Sequence, residues 1–127
     1  MGLQAMKAAD YRKRATSEHS LQTMVREHLR LCAVADSFVF AIPNAGKRSF
    51  AVASHMKAEG MTAGVADLCV MLSGGRVIWL ELKTAKGRQT PKQKGFQDIC
   101  NRLSHVYVLA RSFDEAIENL KAFGALK

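Results

Sequence analysis

The sequence predicts a single α/β domain with the element order α-β-(α)-β-β-α-β-α. Three observations support this fold class. Apolar residues recur at helical spacing in three segments, and short strand-like runs separate those segments. A Ser-Gly-Gly turn, residues 73–75, divides the longest apolar stretch into two strands of a hairpin. At 127 residues without an internal repeat, the chain is long enough for one substantial core.

The three predicted helices each begin with a capping signal. The first begins near the N-cap Ser17 and carries a stripe of apolar residues up to Cys32. The second follows Thr90 as N-cap with Pro91 at its first position, and its predicted apolar face carries Phe96, Ile99, Cys100 and Leu103. The last begins at Ser112, which forms a capping-box pattern with Glu115.

The remaining segments predict strands, one short connection and a tail. Residues 37–43 are interpreted as a short buried strand, and residues 105–110 as the last strand. Residues 47–60 predict a short helical or irregular connection, in which Gly60 suits a helix C-terminus. We interpret residues 1–15 as a basic flexible tail and residues 16–127 as the domain itself.

The charge balance narrows the possible partners. The chain has 19 basic and 11 acidic residues, a net charge of +8 and an isoelectric point near 9.8. Such an excess favours a polyanion such as nucleic acid, or an acidic membrane surface, although a merely soluble basic protein is an alternative. No apolar run is long enough for a membrane span, no secretory signal is recognisable, and the three cysteines form no C-x-x-C pair. We therefore expect a cytoplasmic protein.

The hairpin brings acidic residues together only in one register. If the turn is centred on Gly74, the numbers of paired residues sum to 148 and Asp67 lies opposite Glu81. Lys83, two residues beyond Glu81, then emerges on the same face. A two-residue turn would instead place Asp67 opposite Leu82, on the other face. Clustering of the two acids therefore needs a loop with an odd number of residues.

Two opposed carboxylates repel each other, and a divalent cation between them relieves the repulsion. Carboxylates with a backbone carbonyl and several waters suit Mg²⁺ or Mn²⁺. Lys83 beside such a cation would polarise a phosphate or hold the attacking water, which is the chemistry of phosphodiester hydrolysis. The alternative interpretation is structural: Asp67 caps a loop, and Glu81 with Lys83 forms an exposed pair at a strand end.

Three segments together resemble a known family. They read SEHSLQ at 17–22, MTAGVADLCV at 61–70 and WLELKTAKGRQTPKQ at 79–93. The ordered set resembles the VRR-NUC family of the PD-(D/E)XK nuclease superfamily, in its small stand-alone form from phages and bacteria. The resemblance extends from about Ser17 to Leu120. One departure is Ala66, where the family usually has proline before the aspartate.

The resemblance implies a restriction-endonuclease-like core, with a mixed β-sheet flanked by helices. It implies that Asp67 and Glu81 bind the metal, together with the backbone carbonyl of Leu82. Lys83 corresponds to the catalytic lysine. These roles agree with the chemistry argued from the hairpin.

The resemblance adds Glu18 and Gln93 as catalytic residues, and Glu18 also as a metal ligand. Each has a structural alternative. Glu18 would favour the positive N-terminus of its helix, although its spacing from Leu21 directs it along the apolar stripe. Gln93 completes a capping box with Thr90 and would serve only the helix.

The sequence thus predicts a Mg²⁺- or Mn²⁺-dependent endonuclease. The resemblance implies a homodimer acting on branched DNA such as four-way junctions or flaps. The alternatives are a non-catalytic DNA-binding or assembly subunit, and a nuclease acting on RNA or simple duplex ends. Basic residues near the site are candidate phosphate contacts rather than only a solvated loop. These candidates are Lys47, Arg48, Lys86, Arg88, Lys92 and Lys94.

Overall fold

The computed structural model describes residues 17–43 and 50–127. The predicted tail, residues 1–15, and two of the candidate phosphate contacts, Lys47 and Arg48, lie outside the described residues. The helices are α1 (Glu18–Cys32), α2 (Phe50–Ala58), α3 (Pro91–Arg102) and α4 (Phe113–Ala122). The strands are β1 (Phe38–Ala41), β2 (Leu68–Met71), β3 (Val77–Leu82) and β4 (Val106–Ala110). Within the described ranges, no helix is both long and apolar enough to cross a membrane.

The sheet is mixed, as the resemblance implied. Its strands lie in the order β1-β2-β3-β4, with β1, β2 and β3 antiparallel and β4 parallel to β3. A parallel pair needs a crossover connection, and α3 supplies it. The fold is therefore α/β with the predicted element order, and α3 lies between the hairpin and the last strand.

The hairpin has the predicted register. Leu68 pairs with Leu80, so the paired numbers sum to 148. The turn is a short 3₁₀ segment, Ser73–Gly75, in which Gly74 has a φ of 76°. The amide of Leu72 donates to the carbonyl of Arg76 at 2.8 Å and closes the loop. Positive φ favours glycine, which explains why the loop carries the Gly pair.

Helices cover both faces of the sheet. Helices α1 and α4 pack on the face that carries Leu80, where they form the main apolar core. Helix α3 packs on the other face through aromatic contacts. The Phe96 ring lies 5.6 Å from the ring of Trp79 and 6.0 Å from that of Tyr107, measured between centroids. Edge-to-face aromatic contacts of this kind fix the position of α3 against β3 and β4.

The predicted N-caps of the three helices are confirmed. The Ser17 hydroxyl accepts from the Ser20 amide at 3.0 Å, and the Ser112 hydroxyl accepts from the Glu115 amide at 3.1 Å. Thr90 forms a complete capping box at the start of α3. Each cap satisfies a backbone donor that has no partner inside its helix.

Two predictions of burial are wrong in detail. Residues 37–43 do not form a buried strand, because β1 is an edge of the four-stranded sheet and Phe38 is 63 % exposed. Only Val39 of this strand packs against the core. On the predicted apolar face of the second helix, Ile99 of α3 and its C-cap residue Leu103 are exposed, although their spacing places them with the buried Cys100. Burial of a strand or stripe depends on what covers it, which periodicity does not show.

Candidate active site

Asp67 directly precedes β2 and contacts the end of β3. Its Oδ2 accepts a hydrogen bond of 2.7 Å from the Leu82 amide. Its own amide donates to the Leu80 carbonyl at 3.1 Å, and its carbonyl accepts from the Ile42 amide at 2.9 Å. Three bonds therefore fix the aspartate relative to its neighbouring strands. The carboxylate lies on the hairpin side where the register places Glu81.

Glu81 is a charged residue in the interior, with only 1 % of its surface exposed. Its Oε2 accepts a hydrogen bond from Gln93 Nε2 at 3.2 Å. Its Oε1 is buried, and no described residue donates a hydrogen bond to it. Burial, and secondarily the charge of Asp67, raises the pKa of Glu81 to about 8. The site thus holds a carboxylate oxygen that lacks a partner among the described residues.

Asp67 has a raised pKa for the same principal reason. Burial is the largest cause, the Leu82 amide opposes it, and the charge of Glu18 adds to it. Two neighbouring carboxyl groups with raised pKa values lack sufficient positive charge around them. A cation placed between them would offset this deficit.

Lys83 follows the last residue of β3 and is 6 % exposed. Its amide donates to the Ala110 carbonyl at 3.0 Å, which continues the pairing of β3 with β4. Its Nζ lies 3.4 Å from Glu18 Oε1. The alternative of an exposed Glu81–Lys83 pair at a strand end is wrong, because both side chains are buried.

Glu18 lies in the first turn of α1 and pairs with the lysine rather than with the two carboxylates. Its side chain is 50 % exposed. Among the residues that the structure describes, no three His, Cys, Asp or Glu side chains form a metal-ligand cluster. The charge of Glu18 nevertheless contributes to the raised pKa values of both Asp67 and Glu81. Its role as a metal ligand stays a prediction.

Gln93 serves the helix and contacts the site at the same time. Its Oε1 accepts from the Thr90 amide at 2.8 Å, and its amide donates to the Thr90 hydroxyl at 3.2 Å. Its Nε2 donates to Glu81. The two interpretations offered by the sequence are therefore compatible.

The basic residues that follow Lys83 lie in a loop and in the first turn of α3. They are Lys86, Arg88, Lys92 and Lys94. Arg111 anchors the loop, because one terminal nitrogen of its guanidinium, Nη1, donates to the carbonyls of Thr84, at 3.2 Å, and Gly87. Arg111 was not among the candidates from the sequence. Its only signal there is a position directly after the last predicted strand.

A second group without a sequence signal surrounds Tyr107 on β4. Gln89 Nε2 donates to the Tyr107 hydroxyl at 3.2 Å and to Gln97 Oε1 at 3.1 Å. Burial, with a further contribution from the charge of Glu81, raises the pKa of Tyr107. The phenol therefore stays neutral at physiological pH. No spacing rule connects these residues, since they meet only when α3 packs on the sheet.

A cavity of about 500 Å³ opens beside the aspartate. Described residues that line it include Asp67 and Gln93, but neither Glu81 nor Lys83. Gly64 lies in its wall with a φ of +87°. A Cβ at Gly64 would lie 2.5 Å from the carbonyl carbon of Lys92. Glycine therefore lets the loop before Asp67 approach the start of α3.

The side chains present fit a hard divalent cation. The unpartnered Oε1 of Glu81 is buried beside the Asp67 carboxylate. Oxygen ligands of this kind suit Mg²⁺ or Mn²⁺. Asp67 and Glu81 would hold the ion, and the Leu82 carbonyl is a further candidate.

Two solved structures have a similar fold. One, a VRR_NUC domain protein, is 20 % identical over 87 % of this chain and 89 % of that chain, with a TM-score of 0.72. The other, a VRR_NUC domain, is 17 % identical over 86 % of this chain and 99 % of that chain, with a TM-score of 0.61. No family model and no curated protein matches the sequence. The chain thus has the restriction-endonuclease-like fold of VRR-NUC domains.

Proposed function

We propose that this chain, which has the fold of VRR-NUC domains, is a Mg²⁺- or Mn²⁺-dependent endodeoxyribonuclease. The observation that carries the proposal is Glu81, whose buried Oε1 has no hydrogen-bond donor among the described residues and adjoins Asp67. An unpartnered buried carboxylate destabilises a fold. A cation between the two carboxylates would supply the missing positive charge, and this supports a metal site.

Asp67 and Glu81 act as metal ligands in this proposal, with the Leu82 carbonyl as a third. Each carboxylate is already restrained: the Leu82 amide holds Asp67 Oδ2, and Gln93 holds Glu81 Oε2. When bound, the ion supplies Lewis-acid chemistry, lowering the pKa of a water and offsetting charge on the phosphate. Restrained ligands need little reorganisation when the charge develops.

Lys83 acts on the phosphate in this proposal. Its ammonium is buried at the end of β3, and Glu18 restrains it at 3.4 Å. A fixed positive charge beside the reacting phosphate stabilises the negative charge that grows during hydrolysis. Glu18 orients the lysine and, as the resemblance implies, contributes to the metal site.

The preferred substrate in this proposal is branched DNA, such as a four-way junction or a flap. The net charge of +8 and the basic residues beside Lys83 support binding to a phosphate backbone. The same charges also favour a non-catalytic DNA-binding subunit. The two functions differ in their need for Lys83, because binding alone depends on the exposed basic residues.

A homodimer would place two catalytic centres on the strands of one junction. The sheet edge supports self-association, because Phe38 on β1 is 63 % exposed and Phe40 beside it is 37 % exposed. Their ring centroids are 5.9 Å apart, so they form one apolar surface. Light scattering at several concentrations measures the mass of the particle, and Phe38→Ser is expected to shift it towards the monomer.

The decisive experiment is a cleavage panel. Labelled linear duplex, flap and four-way DNAs and a single-stranded RNA are incubated with the protein in EDTA, Mg²⁺ or Mn²⁺. We expect cleavage of the branched DNAs that depends on the added ion. Lys83→Met removes the charge and keeps much of the side-chain volume, so this variant should bind DNA but lose cleavage by at least about 100-fold.

Lys121→Met is the matched control, since Lys121 is exposed on α4, which packs on the opposite face of the sheet. It should cleave like the wild type. Metal-independent binding with no cleavage of any substrate would favour the non-catalytic subunit. Cleavage of the RNA alone would assign the other nuclease class.

A further inference from the structure

The side chain of Gln93 forms hydrogen bonds both to the start of α3 and to Glu81, a candidate metal ligand. Its oxygen accepts from the Thr90 amide at 2.8 Å, and its nitrogen donates to Glu81 Oε2 at 3.2 Å. The Thr90 hydroxyl in turn accepts from the Gln93 amide at 3.2 Å. A continuous chain of hydrogen bonds therefore joins the helix cap to the catalytic carboxylate.

The chemistry of the groups fixes the orientation of the Gln93 amide. A backbone N–H only donates, so the Gln93 oxygen must face Thr90. A carboxylate only accepts, so the Gln93 nitrogen must face Glu81. Rotating the amide by half a turn would break both contacts. The Gln93 oxygen is consequently occupied by the cap.

The backbone around this cap has little freedom to move. Gly64 packs so closely on the first turn of α3 that a Cβ at this position would lie 2.8 Å from the backbone nitrogen of Gln93. The two capping bonds with Thr90 hold the same turn. The Gln93 side chain therefore starts from a fixed position on the helix.

We propose that Thr90 is a positioning residue of the active site. Its hydroxyl holds the first turn of α3 and its backbone amide holds the Gln93 side chain. The Gln93 side-chain amide in turn holds Oε2 of Glu81 and leaves Oε1 as the oxygen that binds the divalent cation. Gln93 itself is then an orienting donor and not a metal ligand. The part of this inference that concerns the cation rests on the proposed function, whereas the hydrogen-bond chain does not.

The test compares Thr90→Ala and Thr90→Ser with a matched cap variant, Ser112→Ala. Ser112 caps α4 through one bond of the same type, and α4 lies on the other face of the sheet. Both alanine variants should lower the melting temperature by a few degrees, because each loses a helix cap. Thr90→Ala keeps the backbone amide that holds the Gln93 oxygen but loses the hydroxyl that accepts from the Gln93 backbone amide, so the cap and the Gln93 side chain should both loosen. Only Thr90→Ala should therefore shift the NMR signals of the Gln93 side-chain amide in metal-free protein. Thr90→Ser retains the hydroxyl and should restore them.

Calorimetric titration with Mn²⁺ provides the second measurement. Substitutions behind a metal ligand commonly lower metal affinity about 10-fold or more, and we expect this for Thr90→Ala but not for Ser112→Ala. Gln93→Met removes the donor to Glu81 without adding a charge to the site. This variant should also bind Mn²⁺ at least about 10-fold more weakly.

Three results would overturn the inference. Thr90→Ala could match Ser112→Ala in both amide signals and Mn²⁺ affinity. The Gln93 amide signals could be unchanged in Glu81→Gln, which would mean that the two side chains do not interact. Thr90→Ala could bind Mn²⁺ more tightly than the wild type, which would mean that the Gln93 oxygen, once released from the cap, reaches the cation. If the amide signals and the affinities follow the expectation while no DNA is cut, the inference stands and the proposed function fails.

Discussion

Glu81 shows how a single residue connects the stability of this protein with its proposed chemistry. A carboxylate in a buried strand is stable as an anion only if donors or cations surround it. Gln93 supplies one donor to Oε2, and Oε1 has none among the described residues. In metal-free protein the proton is therefore bound more tightly than in water, and the pKa rises to about 8.

This shift predicts how stability depends on pH without metal. Because the pKa of Glu81 is higher in the folded state than in the unfolded chain, its protonation stabilises the fold. This contribution is complete at pH values below the ordinary pKa of 4.5 and is lost as the pH rises through about 8. The unfolding free energy in EDTA should fall by on the order of a few kcal/mol across this range. In Glu81→Gln the unfolding free energy should fall much less over the same pH range. The raised pKa of Asp67 should account for part of the fall that is left.

Urea unfolding at several pH values measures this dependence. Glu118→Gln, at an exposed position of α4, is the control and should behave like the wild type. A full decrease retained in Glu81→Gln would show that this carboxyl is not the titrating group.

At Gly64 a single side chain would affect stability through a steric collision. Gly64→Ala would strain a positive φ and bring a Cβ to 2.5 Å from the Lys92 carbonyl carbon. Gly60 has a φ of +105° but nothing within 4 Å of its Cβ position, so Gly60→Ala has the strain without the collision. We expect Gly60→Ala to cost about 1–2 kcal/mol of unfolding free energy and Gly64→Ala about 1–3 kcal/mol more. Chemical denaturation measures both values, and equal losses would mean that the contact with α3 is absent.

At the scale of elements, the site depends on the β2–β3 hairpin and on the loop between β3 and α3. The turn with an odd number of residues at Ser73–Gly75 places Asp67 and Glu81 on one face. The loop after Lys83 is held by side-chain hydrogen bonds, since Arg111 donates to the carbonyls of Thr84 and Gly87. One arginine thereby keeps a basic loop close to Lys83.

Removal of that arginine should loosen the loop. Arg111→Met is expected to increase trypsin cleavage after Lys86 and Arg88 about tenfold or more, because local opening then costs at least about 1.4 kcal/mol less. Mass spectrometry of early digestion products measures the rate at these two bonds. Arg102→Met also removes one tryptic site, at the exposed end of α3, and is the control. An unchanged rate in Arg111→Met would mean that the loop is held by other contacts.

At the scale of the whole molecule, the proposed metal binding would raise the stability of the fold. An ion that binds only the folded state adds about 2.7 kcal/mol when its free concentration is a hundred times its Kd. Mn²⁺ should therefore raise the melting temperature of the wild type. Asp67→Asn keeps an oxygen for the Leu82 amide and removes a charge, so its metal-free form should be at least as stable and respond little to Mn²⁺.

Differential scanning calorimetry with and without Mn²⁺ measures these shifts. Asp98→Asn, at an exposed position of α3, should respond like the wild type. An equal Mn²⁺-induced rise in Asp67→Asn would place the ion elsewhere and return Asp67 to a structural role.

Several features of this protein follow from its sequence because they are local. Caps form within three residues, as at Thr90 and Ser112, and helical stripes repeat within one element. The hairpin register is also local, because the loop at Ser73–Gly75 decides which face Asp67 and Glu81 share. The element order, the fold class and the acidic pair were therefore predictable.

Only the tertiary structure decided how these elements combine into a site. Lys83 is buried and paired with Glu18, which is 65 residues away in the chain, since α1 packs against β3. The bond from Gln93 to Glu81 needs α3 to lie on the second face of the sheet. Arg111 reaches the loop after Lys83 because β4 is parallel to β3. Such contacts depend on packing between elements distant in sequence, and no periodicity or capping rule encodes that packing.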